Sequence, residues 1–249
     1  MDKAYTKNVM QSLNIATLPC RVISRDDYKK NKEKIIDSII AQYDYPIMIK
    51  PCSLGSSIGI SKARDDNDLL QGLETAFMFD NKVLIEKALE DFKEINMALF
   101  VMENDEIAVG ELEEPVFGDC FLTFSDKYLS GSKGLSDTKR ILPAKVTNKI
   151  KKQIEDYSKK LYKSLDCKGI IRIDYLVKDD IVYLNEINAI PGSLAFYLFR
   201  GKGISHRELL DKLIKATLKI DSKKDCLIKK FKSSVLENIE NGNKNTGKL

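Results

Sequence analysis

The chain has 249 residues, 43% of them hydrophobic and 31% charged, which is an ordinary soluble composition with material for one large domain or two small ones. No apolar run approaches the roughly 20 residues that span a bilayer, and the opening "MDKAYTKNVM" lacks a secretory apolar segment. Cys20, Cys52, Cys120, Cys167 and Cys226 form no Cys-x-x-Cys pair and His206 is the single histidine, so a disulfide framework and a zinc site are both disfavoured; reduced cysteines point to the cytoplasm.

In chain order, helical periodicity covers 4–14, 31–42, 65–79, 147–165 and 206–219, with a weaker pattern over 224–240. Asp65 and Thr147 stand where N-caps belong. Strand-like runs are "YPIMIK", "KVLIEKAL", "INMALFVM", "EIAVGEL", "GIIRIDYLV" and "DIVYLNEIN". Two pairs of these read as hairpins turning on Asn104-Asp105 and Asp179-Asp180. Helices mixed with antiparallel hairpins predict an α+β fold and argue against a doubly wound parallel sheet. The formal charge of +4 arises in the tail, where residues 222–249 hold seven lysines against three acids. No aromatic stacking set accompanies them, so a solvated helix with a loose end is expected rather than a nucleic-acid or membrane surface.

Three constellations carry chemistry. In "IKPCSLGSSIGIS" (49–61), Lys50 ends an apolar strand, and Gly55, Ser56, Ser57 and Gly59 form a small-residue loop. Such a loop offers N–H groups and hydroxyls to phosphate oxygens beside a point charge, although a plain glycine-rich turn explains the pattern equally well. It is not a Walker A motif, because no Gly-Lys-Ser/Thr follows. In "VLIEKALEDFKEINM" (83–97), Glu86, Lys87 and Glu94 taken alone read as an exposed charge pattern. In "IIRIDYLVKDDIVYLNEIN", Arg172 and Asp174 share one face of a strand, and Glu186 and Asn188 share one face of the next. If the two strands form a hairpin, all four meet. Two carboxylates and an amide oxygen suit magnesium, and an adjacent arginine suits an anionic transition state. The alternative is a surface cluster of cross-strand charges, which the flanking apolar residues disfavour.

Together and in order, "KPCSLGSSIGIS", "EKAL…KE", "DKY", "RIDY" and "NEINAIPGS" resemble the ATP-grasp fold and, within it, the D-alanine–D-alanine ligase family, from Asp2 to about Leu218. The resemblance implies two α+β subdomains, 1–90 and 91–221, clamping ATP, with 222–249 as a basic helical tail. Lys3 and Lys50 match the lysines on phosphates and base, and Ser56 and Ser57 the loop over the phosphates. Glu86, Lys87 and Leu89 match the adenine hinge, and Glu94 the ribose-binding acid. Lys127 and Tyr128 match a pair on a mobile loop, where Tyr128 meets Ser56. Asp174, Glu186 and Asn188 match the ligands of two magnesium ions, with manganese as a substitute. Arg172 and the Gly192 N–H match the oxyanion stabilisers. The implied activity is ATP-dependent joining of D-alanine, or a similar amino acid, to an amine through an acyl phosphate, in peptidoglycan precursor synthesis. The family also implies a homodimer.

Two departures stand beside the match. The family has a further N-terminal domain ahead of the Asp-Lys element, whereas this chain starts there. The expectation is a truncated product, a fragment or one half of a two-chain enzyme, so a nucleotide-binding module that needs a partner chain is the competing reading. The family also commonly places a serine five residues after the Pro-Gly glycine, against the second substrate's carboxylate; Tyr197 stands there. That leaves a hydroxy acid or another amino acid open as acceptor. Lys133, Lys139 and Arg140 are further candidates for phosphate or substrate contact, and Cys52 reads as a small packing residue.

Overall fold

In the computed structural model, residues 2–116 and 139–224 are described. Asp2 caps the first helix, α1 (Lys3–Ser12), its carboxylate accepting from the Ala4 N–H (2.9 Å) and the Tyr5 N–H (3.2 Å). Helical spacing then lines up Lys3, Lys7 and Met10 on one buried stripe. Next come β1 (Cys20–Ser24), α2 (Arg25–Lys30), α3 (Lys32–Gln42), β2 (Ile47–Pro51), β3 (Ser61–Ala63), α4 (Asp66–Phe79) and β4 (Lys82–Lys87). The four strands form an antiparallel sheet in the order β1-β4-β2-β3. Strand alternation gives it two unlike faces. Ile47 and Ile49 of β2 pack with Ile39 of α3 and with Leu69, Leu73 and Phe77 of α4, while Met48 and Lys50 project from the other side.

The second half holds β5 (Lys93–Val101), β6 (Ile107–Val109), β7 (Glu114–Val116), β8 (Lys139–Ile141), α5 (Asn148–Ser164), β9 (Ile170–Lys178), β10 (Ile181–Asn188), a 3-10 helix (Gly192–Lys202) and α6 (His206–Lys224). Four strands pair antiparallel in the order β10-β9-β5-β6, and β7 pairs with β8. One face of this second sheet carries Ile95, Met97, Ile171, Ile173 and Tyr175 under Ile150, Ile154 and Leu161 of α5. Met10 of α1 joins this same core, so the first helix touches both halves. The Tyr175 hydroxyl, buried there, is satisfied by Ser158 Oγ at 2.7 Å. On the opposite face, Ala98, Phe100 and Ile170 are covered by Leu198, Phe199 and Leu209 from the 3-10 helix and α6. Further along, that face carries Arg172, Asp174, Asn96 and Glu94 beside Leu176.

Among the described residues every strand pairing is antiparallel, in line with the α+β expectation. Asp65 and Thr147 cap α4 and α5 through the N–H groups of Asp68 and Ile150. The β9–β10 hairpin turns on Asp179 (φ 48°) and Asp180 (φ 60°), both left-handed as the two-residue turn demands. Strands β1, β3, β7 and β8, helix α2 and the 3-10 helix had no sequence expectation, and 224–240 extends beyond the described residues. Among the described residues, no helix is long and apolar enough to cross a membrane.

Candidate active site

The first sheet turns its non-helical face toward the second, and charge gathers there. Glu86 on β4 lies opposite Met48, one step from Lys50 on β2. Only 1% exposed, it accepts from Lys7 Nζ at 2.6 Å and from Lys50 Nζ. Burial alone would raise its pKa, but Lys50 and Lys7 outweigh burial and hold the carboxyl below its ordinary range. Lys7 also donates to the Leu18 carbonyl at 2.8 Å. Lys3 is 7% exposed and donates to the carbonyls of Pro51 (3.3 Å) and Leu54. Burial pulls its pKa down, and the Glu186 charge opposes that.

The second sheet answers with acids. Its register sets Glu186, Asp174 and Asn96 in one row across β10, β9 and β5, and a bridge from Asn96 extends the row to Glu113. Arg172 and Asn188 form the row beside it. A β-bulge makes this possible. Pairing steps from Leu184–Tyr175 to Glu186–Asp174, so Asn185 is an extra residue that shifts the strand's phase. Leu184 and Ile187 thus both face the core, and Asn185 Oδ1 reaches 3.3 Å from Lys50 Nζ, joining the two sheets.

Asp174 is fully occupied. It accepts from Arg172 Nε (2.7 Å) and Nη2 (2.8 Å) and from Asn188 Nδ2 (2.9 Å). The Asn96 amide nitrogen, oriented toward the acids, adds a fourth bond at 3.1 Å to Asp174 and also lies 3.2 Å from Glu94 Oε1. A carboxylate has about four acceptor positions, so none is left over. Burial works against the charge of Arg172, but Asp174 more than compensates and holds the guanidinium firmly protonated. Glu186 is the opposite case. Its Oε1 is buried with no hydrogen-bond partner, and burial raises its pKa against the pull of Lys3. An orphaned carboxylate oxygen beside a second acid and an amide is the donor chemistry of a hard cation. Among the described residues no three His, Cys, Asp or Glu side chains converge, so the candidate set is two acids and Asn188. It fits a magnesium-type ion, provided that Asp174 releases one of its four bonds on loading.

Two loops carry left-handed backbone. In the loop between β2 and β3, Ser56 (φ 55°), Ser57 (φ 59°) and Gly59 (φ 68°) are left-handed. A Cβ on Gly59 would lie 2.9 Å from both Phe79 Cδ2 and Pro51 Cγ, so conformation and space both require glycine. After Pro191 and Gly192, the residues Ser193, Leu194 and Ala195 are all left-handed, a strain of about 1 kcal/mol or more each. At the end of the row, Tyr197 donates to Glu113 Oε2 (2.9 Å), and Arg140 Nε lies 3.4 Å from Glu113 Oε1. Burial, with Glu113 beside it, pushes the Tyr197 phenol up to about 12.

Of the residues expected from the sequence, Lys3, Lys50 and Glu86 gather on one side, and Glu94, Arg172, Asp174, Glu186 and Asn188 on the other. Ser56 and Ser57 lie on the loop after β2, Leu89 is half-buried just past β4, and Gly192 opens the 3-10 helix. Lys87 follows Glu86 on a strand, so its side chain points the other way, exposed and 3.6 Å from Asp44, and only its backbone can serve the expected hinge. Lys127, Tyr128 and Lys133 lie outside the described residues. Cys52 is fully buried and its thiol is pushed up to about 11, chiefly by burial, in keeping with a packing residue. Sequence reasoning missed Lys7, Asn96, Glu113 and Asn185. Spacing could have found two of these: Lys7 is one helical turn from Lys3, and Asn96 is two strand residues from Glu94.

A lysine-lined antiparallel sheet facing an acid-lined one is the ATP-grasp architecture. The family described as D-ala D-ala ligase C-terminus matches residues 9–215. The chain belongs to the D-alanine–D-alanine ligase family. It is 35% identical over 230 residues to the D-alanine–D-alanine ligase of Caldicellulosiruptor bescii, covering 90% of this chain and 61% of that protein. For the Clostridium novyi enzyme of the same name, identity is 36% over 229 residues, with 90% and 64% covered. Among solved structures, the D-alanine–D-alanine ligase of Helicobacter pylori aligns with a TM-score of 0.67 at 32% identity, covering 88% of this chain and 60% of that one. The VanG D-Ala:D-Ser ligase of Enterococcus faecalis aligns with a TM-score of 0.73 at 29% identity, covering 87% and 61%. The chain therefore spans about three fifths of the length of these relatives.

Proposed function

We propose that the chain supplies the nucleotide and magnesium half of a cytoplasmic carboxylate–amine ligase that joins D-alanine, or a similar amino acid, to an amine during peptidoglycan precursor synthesis. Residues 1–90 and 91–221 act as the two jaws on the nucleotide, and 222–249 is a solvated tail. Lys3 and Lys50 bind phosphate oxygens, Glu86 keeps Lys50 in place, and Glu94 takes the ribose. Magnesium, held by Glu186, Asp174 and Asn188, would supply charge neutralisation on the transferring phosphoryl group. A carboxylate is a poor electrophile, so the substrate acid is first phosphorylated at the expense of ATP, and the amine then displaces phosphate. Arg172 and the Gly192 N–H hold the oxyanion of that second step, where a well-placed donor contributes about 3–4 kcal/mol.

The observation that carries this reading is the buried, unpartnered Glu186 oxygen facing Lys3 across the site. The test is ADP release by the purified chain with ATP and magnesium, with and without D-alanine, beside Glu186→Ala. Release that depends on D-alanine and is abolished in the folded variant is the expected result; undiminished turnover by that variant would remove the mechanism.

ATP binding without ADP release, restored when the N-terminal part of a relative is added in trans, would select instead a nucleotide-binding module completed by a partner chain.

A further inference from the structure

Glu113 has no part in the chemistry above, yet it is 2% exposed and continues the row of Glu186, Asp174 and Asn96. Its backbone is tied to Asn96 in both directions, at 2.8 and 3.0 Å, which fixes its side chain on the face that carries Asp174. Its carboxylate is held from two sides, by the Tyr197 hydroxyl at 2.9 Å and by Arg140 Nε at 3.4 Å. The triangle closes where the Arg140 guanidinium lies 4.8 Å above the Tyr197 ring. Three separate segments of chain have been brought together to immobilise one phenol.

What that phenol can do follows from its single proton. A carboxylate paired with an arginine only accepts, so the Tyr197 proton is committed to Glu113. Toward any other partner Tyr197 Oη offers lone pairs alone. The phenol stands at the end of the row that carries Asp174, because it is bonded to Glu113, which pairs with Asn96, which in turn pairs with Asp174. A hydroxyl locked in this sense is a poor partner for a carboxylate and a good one for an N–H.

We propose that Tyr197 is the hydrogen-bond acceptor for the attacking amine, with Glu113 and Arg140 as positioning residues that fix the direction of its proton. The proposal rests on the ligase reading, because that reading puts the reacting carbon beside Arg172. Holding the amine by one N–H restricts how its lone pair approaches that carbon, which is where orientation contributes to rate.

The experiment compares D-alanine with propionate, which is the same molecule without the amine. Each is titrated into the chain saturated with magnesium and ADP, and ligand methyl relaxation is followed by NMR. Tyr197→Phe should weaken D-alanine about tenfold, the worth of one net hydrogen bond, and leave propionate unchanged. Glu113→Gln lets an amide donate to Oη and frees the phenol proton to turn into the site, so it should weaken D-alanine comparably while Tyr197 stays in place. An unchanged ADP affinity in both variants reports an intact fold, and Tyr197→Phe decides alone if Glu113→Gln fails to fold. Equal losses for both ligands would mean that Tyr197 holds the carboxylate, and no loss for either would mean that it touches neither; each overturns the proposal. A wild-type chain that binds ADP but not D-alanine overturns it as well. A chain that binds no ADP defeats the ligase reading first, and this inference with it.

Discussion

Replacing Lys7 by methionine tests whether the buried lysine–glutamate–lysine cluster works as the geometry implies. At 2.6 Å and an effective dielectric near 20, the Lys7–Glu86 attraction is about 6 kcal/mol before desolvation is subtracted. Desolvation cancels much of that, since the Lys7 and Glu86 side chains are 7% and 1% exposed. Removing one partner of a buried pair typically costs about 3–5 kcal/mol; with Lys50 still on Glu86, about 2–3 kcal/mol is expected. The cost depends on pH. Glu86 has a folded pKa below its ordinary 4.5, so its pairing contributes above that value and is lost as pH falls through the lower folded one. Urea unfolding at pH 7 and at successively lower pH should therefore show the gap between wild type and Lys7→Met closing in acid. A smaller pH-independent remainder should persist, because the Leu18 carbonyl also loses its donor. A gap of the full size at every pH would refute the pairing as its cause, and no gap at pH 7 would refute the cluster's contribution to stability.

Further outcomes follow from the same reasoning. In metal-free protein, Glu186→Gln should raise stability at neutral pH and match wild type below about pH 4.5, because burial raises the carboxyl above its ordinary 4.5 and ionising it there is unfavourable; thermal unfolding across pH reads this out. Magnesium-dependent ADP affinity, measured by calorimetry, should fall in that same variant. Gly59→Ala forces a side chain into a left-handed residue 2.9 Å from Phe79 and Pro51, so it should cost about 1–3 kcal/mol in urea unfolding and weaken ADP binding; wild-type values in both assays would show that the loop has another way to pack. Ser158→Ala leaves the fully buried Tyr175 hydroxyl without its partner and should cost about 1–3 kcal/mol, while Ser158→Ala with Tyr175→Phe should cost less than the two single changes added.

Local patterns were the legible part of the chain. The period-two placement of Arg172 and Asp174 and the Asp-Asp turn after them fixed one hairpin from sequence alone, and the structure has that hairpin. Caps at Asp65 and Thr147 were equally local. What escaped was non-local or short. Strands β7 and β8 pair Glu114 with Ile141 across a long intervening segment, and neither is long enough to show alternation. Just inside the 3-10 helix, after Gly192, stand three left-handed residues, Ser193, Leu194 and Ala195, none of a type that signals such a backbone. Among site residues, Lys50, Asp174 and Glu186 stood out as charges at the ends of or within apolar runs, whereas Glu86 read as an exposed charge until the resemblance placed it. Lys7 did not, because a lysine on a surface-like helix reads as solvated until its glutamate is found on a strand 79 residues away. Glu113 sat among Glu111 and Glu114, with nothing local to separate the buried acid from its neighbours.

The single surplus residue at Asn185 governs more than its own bond to Lys50. An evenly alternating strand has two directions in which to send side chains; β10 has three, toward the helix-covered core, toward the acid row, and toward the opposite sheet. The wording of "LNEIN" is therefore a counting device as much as a set of functional groups. Paired evenly, without the bulge, Asn185 would fall opposite Asp174, Glu186 opposite Ile173 in the apolar core, and Ile187 opposite Arg172. The bulge, rather than the residue types alone, decides which of these groups meets the acid row.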